Sequence, residues 1–195
     1  MKLKRILIPL IILSLLFAVP VHAASPKTTV KRQATVFCWA VREYDQKVIH
    51  DSFLPRNMRK EIEYFDKGYG LDKTIRKLQR KYFDFKIKKV KVKGNTATVR
   101  IKFTYYDGED LFDAAFWYAV EKHLYKTPTA KSSLTTMNKY AKKHLKHFPA
   151  SYYITSDTIT LKYRKYNGKW LITNMSARLS DVVNCCAVNV IDSHA

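Results

Sequence analysis

Near residue 83 the spacing of apolar residues changes from steps of three and four to steps of two, and that switch confines the chain to a mixed α and β fold. Ahead of the switch, Val30, Ala34, Phe37, Val41, Tyr44 and Val48 form one stripe of an amphipathic helix, ended by Asp51-Ser52 and Pro55. A second helical stretch covers residues 57–67, with Met58, Ile62 and Phe65 facing in and Gly68-Tyr69-Gly70 closing it. A third sets Leu71, Ile75, Leu78 and Tyr82 on one side.

After the switch, Phe85 and Ile87, then Val90 and Val92, are apolar among lysines, and the parity slip between 87 and 90 predicts a β-bulge. Gly94-Asn95 makes a turn. Ala97, Val99, Ile101, Phe103 and Tyr105 then alternate with polar residues as a half-buried strand. Asp110, helped by Asp113, is expected to cap a deeply packed helix over residues 111–125. Thr127-Pro128-Thr129 breaks it. Residues 133–147 form another helix, with Leu134, Met137, Ala141, Leu145 and Phe148 inward and Pro149 as its stop. Strands are expected at 152–154 and 158–166. Asn167-Gly168 then leads into Trp170 and Ile172 alternating with Leu171 and Thr173, a strong hairpin signal. Residues 181–191 are apolar enough to dock.

The chain also begins like an exported precursor. Lys2, Lys4 and Arg5 precede an apolar run over residues 6–19, followed by Pro20-Val21-His22-Ala23. Positive start, short apolar core and small residues before the cut are the parts of a secretory signal, with cleavage expected after Ala23. A run of 14 residues spans about 21 Å against a hydrocarbon core of about 30 Å. The alternative is an uncleaved membrane anchor, which needs the run extended to Ala24. The expected organisation is a signal at 1–23, a flexible lead at 24–29, one α+β domain at 30–176 and a tail at 177–195. Cleavage would leave 172 of the 195 residues, enough for one core, and removing three positive charges from +20 leaves +17. Such a balance points to anionic partners.

The helices, the "VKVKGNTATVRIKF" hairpin, the helical segment and the "ITLKYRKYNGKWLITNM" hairpin together resemble the nuclear-transport-factor-like, cone-shaped α+β superfamily, and within it small exported bacterial domains. The resemblance rests on Gly94-Asn95 and on Asn167 to Ile172 and covers residues 30–176. It implies N-terminal helices packed on a curved antiparallel sheet of two hairpins, wrapped around a cavity. It does not choose among enzyme, ligand carrier and assembly domain.

Three constellations are candidates for chemistry. The first is basic. Lys73, Arg76, Lys77, Arg80 and Lys81 share one face of the third helix, and Lys139, Lys142, Lys143 and Lys146 repeat the device later. Lys86, Lys88, Lys89, Lys91 and Lys93 line the first strand beside Arg100 and Lys102. Such clusters bind polyanions by releasing counterions, without reading sequence, so no specific nucleic-acid recognition is expected. An anionic polymer or lipid surface is the expected partner. The second is His144 with His147, three apart on a helix, which would need a further ligand to hold a metal. The third is the aromatic helix with Phe112, Phe116, Trp117 and Tyr118. Asp107, Asp113, Glu121 and His123 near it would line a pocket if the cone is open.

Cys38 could bridge to Cys185 or Cys186 in an oxidising compartment, or all three could be buried thiols. No nucleophile, zinc, P-loop or dinucleotide motif is present, and five glycines leave little scope for phosphate-cradling loops. No cofactor or metal is implied. The residues favour an exported, non-enzymatic binding or accessory module at the cell envelope. A small enzyme or carrier using the cavity is one alternative, and a homodimerising assembly domain is another.

Overall fold

The computed structural model describes residues 24–54, 72–123 and 130–187. The export signal, the expected helix at 57–67 and the break at Thr127-Pro128-Thr129 lie outside the described residues. The first helix, α1 (Pro26–Glu43), begins ahead of the expected Val30 because Ser25 caps it. The Ser25 hydroxyl accepts from the Thr28 amide at 3.2 Å, and Pro26 brings helical φ where no amide partner is needed. Most of the expected flexible lead is therefore helix.

At its other end Tyr44 adopts a left-handed conformation, with φ of 51°. Asp45 then accepts from the Val48 amide and starts α2 (Gln46–Asp51). The stripe read across Val30 to Val48 is thus two helices: the apolar spacing runs through the break because Tyr44 and Ile49 are both buried. The third helix, α3 (Asp72–Tyr82), follows as expected.

Alternation along β1 (Asp84–Lys93) and β2 (Thr96–Tyr106) puts the apolar residues on one face and most of the lysines on the other. The predicted bulge is present: the register shifts between Ile87 and Lys89, leaving Lys88 without a partner on β2. After β2 comes α4 (Glu109–His123), which starts before the expected Leu111. Its first turn is held by Asp107, whose carboxylate accepts from the Glu109 amide at 3.2 Å, so Asp110 is a first-turn residue and not the cap.

Next come α5 (Ala130–His144), a 3-10 turn at Leu145–His147 and the short α6 (Ala150–Tyr153). The expected strand at 152–154 is thereby corrected, since Tyr152 and Tyr153 are helical. From Ile154 one continuous strand, β3 (Ile154–Tyr166), runs to the Asn167-Gly168 turn and into β4 (Lys169–Ile172). Both turn residues have positive φ, 46° and 77°, the mirror-image geometry that matches strand twist. Finally α7 (Ala177–Asn184), capped by Ser176, buries Leu179, Val182 and Val183. The described part of the expected tail, residues 177–187, contributes to the core.

The result is an α+β fold with an open four-stranded antiparallel sheet in the order β1-β2-β3-β4. The two hairpins join through β2 and β3, which pair from Thr96 with Arg164 to Tyr106 with Ile154. One apolar cluster fills the inner sheet face against α1 and α7, with Phe37, Phe103, Leu161 and Ile172 fully buried. A second gathers α3, α4 and α5 around Tyr106. The inner sheet face therefore carries packed side chains of the first cluster. Gly108 lies where the second cluster closes: its amide donates to the Cys185 carbonyl at 3.1 Å, and a Cβ there would come within 2.7 Å of the Phe112 ring.

Candidate polyanion-binding groove

The basic faces of α3 and of the end of α5, some sixty residues apart in the chain, line one groove of about 410 Å³. Lys77 and Lys81 face it from α3; Lys142, Lys143 and Lys146 face it from α5 and the 3-10 turn. Tyr82, Phe148 and Pro149 supply apolar lining, and no acidic side chain lines it among the described residues. A shallower depression of about 330 Å³ continues along α3, between Lys73, Arg76, Lys77, Arg80 and Lys81. The two share Lys77 and Lys81, so the positive surface is continuous. Both helices end here, and their terminal carbonyl dipoles offset part of the mutual repulsion of the lysines.

Packing among buried aromatic residues brings the two walls together. Tyr106, at the end of β2, is 1% exposed. Its ring stacks on Tyr82 of α3 at 5.3 Å and meets Tyr153 of α6 at 5.7 Å. Its hydroxyl donates to the Phe148 carbonyl at 3.1 Å. One side chain thus fixes the α3 wall against the segment that follows α5. A second tie joins the helices directly, the Thr74 hydroxyl of α3 donating to the side-chain oxygen of Asn138 on α5. Lys81 also lies over the Tyr82 ring at 4.9 Å, which holds its ammonium at the rim.

Not every expected cation is available. Arg80 is paired with Glu43 of α1 at 2.7 Å, both groups about half exposed. Lys139 is exposed on α5 but lies outside the groove lining. Lys89, Lys91, Arg100 and Lys102 belong to the outer face of the sheet, a different surface. The three basic stretches therefore divide into one groove and one sheet face.

The expected pocket residues lie on α4 and just ahead of it. Trp117 is 55% exposed, because α4 buries Leu111, Phe112, Ala115 and Ala119 on its opposite side. Trp117 packs edge-on against Phe116. Tyr118 lies 4.7 Å from Tyr140, and His123 is 3.2 Å from the Thr136 hydroxyl, so both join α4 to α5. Asp113 and Glu121 stay on α4, half-exposed and exposed, while Asp107 turns to the Glu109 amide.

Cys38, Cys185 and Cys186 are buried free thiols, and no bridge joins them. Burial pushes all three thiols up, and at Cys186 the neighbouring Asp107 carboxylate pushes the same way. They are held protonated and poorly nucleophilic. Burial likewise raises Tyr105, whose hydroxyl also donates to Asp157 at 2.9 Å.

His144 and His147 have ring centroids 5.4 Å apart, and no group of three metal-ligating side chains forms among the described residues. His144 is stacked on Tyr140 at 4.3 Å. Desolvation first, then the charges of Lys143, His147 and Lys146, hold its imidazole below the usual histidine range.

Tyr106 and the Thr74–Asn138 tie are the residues that sequence reasoning missed. A trace of Tyr106 was present: Tyr105 and Tyr106 are successive aromatics at a strand end, and alternation gives only one of them the inner face. The other has to be covered by something beyond the sheet. The chain matches no known protein family, no curated protein and no solved structure.

Proposed function

We propose that the protein is an exported, non-enzymatic binding module of the cell envelope that holds an anionic polymer along the groove between α3 and the end of α5. One observation carries this reading: five lysines from two distant segments converge on one groove whose described lining holds no acid. Isolated solvated lysine faces would have no reason to meet. Their mutual repulsion is relieved when a polymer with repeated phosphate or sulfate groups replaces the counterions. The mostly lysine lining favours point-charge attraction over the planar bidentate recognition that arginine provides, and so favours affinity without fine selectivity. The buried, protonated thiols support a binding role over a nucleophilic one. Export rests on the signal-like first 23 residues, and it makes envelope polymers the accessible anions.

The test is the salt dependence of binding to linear polyphosphate. Five neutralised contacts give a slope of log K against log salt of about −3 to −4. The double variant K77E/K143E should weaken binding at least tenfold and flatten that slope by about 1.4. A wild-type slope near that of a control protein of equal net charge, or an unchanged slope in the variant, would sink the proposal.

A further inference from the structure

The outer face of the sheet is a second basic surface, different in shape from the groove. Cross-strand pairs set Lys86 opposite Lys102 and Lys89 opposite Arg100, while Lys91 faces Thr98 and Thr98 faces Lys162. Arg164 extends the array on β3, opposite Thr96. The bulge adds the exposed Lys88 to the same edge strand. Like charges directly opposite each other destabilise a sheet, and none of these cations has an ion-pair partner among the described residues. Between them the outward positions of the central strands are mostly short hydroxyl side chains, Thr98, Thr104, Ser156, Thr158 and Thr160, with the exposed Ile154 and Tyr166 at the two ends of β3.

We infer that this face docks the protein on an anionic phospholipid bilayer. A linear polymer engages cations along a line, as the groove does. A charged plane engages every row of a two-dimensional array at once, and this array spans three strands. The inference is independent of the groove.

The experiment measures partition of the full chain onto vesicles of phosphatidylcholine, with and without 30 mol% phosphatidylglycerol. The readout is the ratio of the two partition coefficients, in which any insertion of the apolar N-terminal run cancels. Each cation near a charged surface is worth about fivefold in partition. The wild-type ratio should therefore be large and should collapse at high salt. K91E/R100E should lower it by about a hundredfold or more. K142E/K143E, on the groove, should leave most of it. The carboxylate that R100E introduces would face Lys89 across the strands, so K91E/R100E should melt no lower than wild type. If it does melt lower, the neutral pair K91Q/R100Q decides in its place. A wild-type ratio near one, a ratio unchanged in the sheet variant, or loss of the ratio in the groove variant would each overturn the inference, the last pointing to polymer binding alone.

Discussion

The sheet half and the helical half of this protein hold their cations by different means. On the sheet, each strand settles its own inside and outside through a two-residue period, so apolar residues and lysines separate onto opposite faces before any packing occurs. The cations end up spread over a plane. In the helical half, α3 and α5 each carry a basic stripe, and neither stripe has a site until Tyr106 and the Thr74–Asn138 bond set the two helices side by side. Local pattern suffices to make a charged surface; a charged groove depends on tertiary contacts.

That contrast can be broken most sharply with two large-to-small substitutions. Phe103→Ala, in the sheet core, and Tyr106→Ala, behind the groove, should each cost about 3–5 kcal/mol by chemical denaturation, since both side chains are almost fully buried. Their effects on polyanion binding should differ. At a temperature where both are folded, the Phe103 variant should keep wild-type affinity for polyphosphate, whereas the Tyr106 variant should lose most of it. Equal affinities would mean that Tyr106 does not position the walls.

A smaller effect is expected where the halves are joined. Gln79 of α3 is fully buried, and its side-chain amide donates to the carbonyls of Val182 and Val183 in α7 at 2.6 and 2.9 Å. These carbonyls belong to the last turn of α7 and have no further helical amides to accept from. Gln79→Ala strands them and should cost about 1–3 kcal/mol. Faster hydrogen exchange in α7 than in β2 would show that the loss begins at the junction. Uniform exchange would mean the halves unfold as one unit.

The smallest effect concerns pH. The His144 imidazole titrates below its ordinary range in the folded chain, so between that lowered value and the ordinary one the unfolded state binds more protons. Stability contributed by neutral His144 is present above the ordinary histidine range and is lost as pH falls through the folded value. The melting temperature should therefore drop slightly between pH 7.5 and pH 5, and His144→Gln should remove that part of the drop. Polyphosphate in the groove should reduce it too, because added negative charge favours the imidazolium. A drop unaltered in the variant would assign it to other groups.

Much of the sheet could be read from residue spacing. The bulge at Ile87–Lys89, the turn at Asn167-Gly168 and the inward set Val99, Ile101, Phe103, Trp170 and Ile172 all follow from alternation and turn chemistry, which act over two to four residues. Helix boundaries were less legible where a cap competes with a continuing apolar stripe, as at Tyr44-Asp45, or where the residue that caps differs from the one that looks best placed, as with Asp107 in place of Asp110. The aromatic helix misled for a related reason. Phe112, Phe116 and Trp117 make it apolar nearly all round, but only neighbouring elements decide which side is covered, and Trp117 was left outside.

By itself, then, the sequence determined the α+β class, the sheet hairpins, the separation of charge from apolar surface along each strand and the excess of cations. Those properties come from interactions between near neighbours. The tertiary structure alone decided that two basic helix faces would line one groove while the third stretch stayed apart on the sheet, and that the cysteines would be buried thiols. These outcomes depend on contacts between segments tens of residues apart, and the period of a single segment holds no information about which neighbour will cover it.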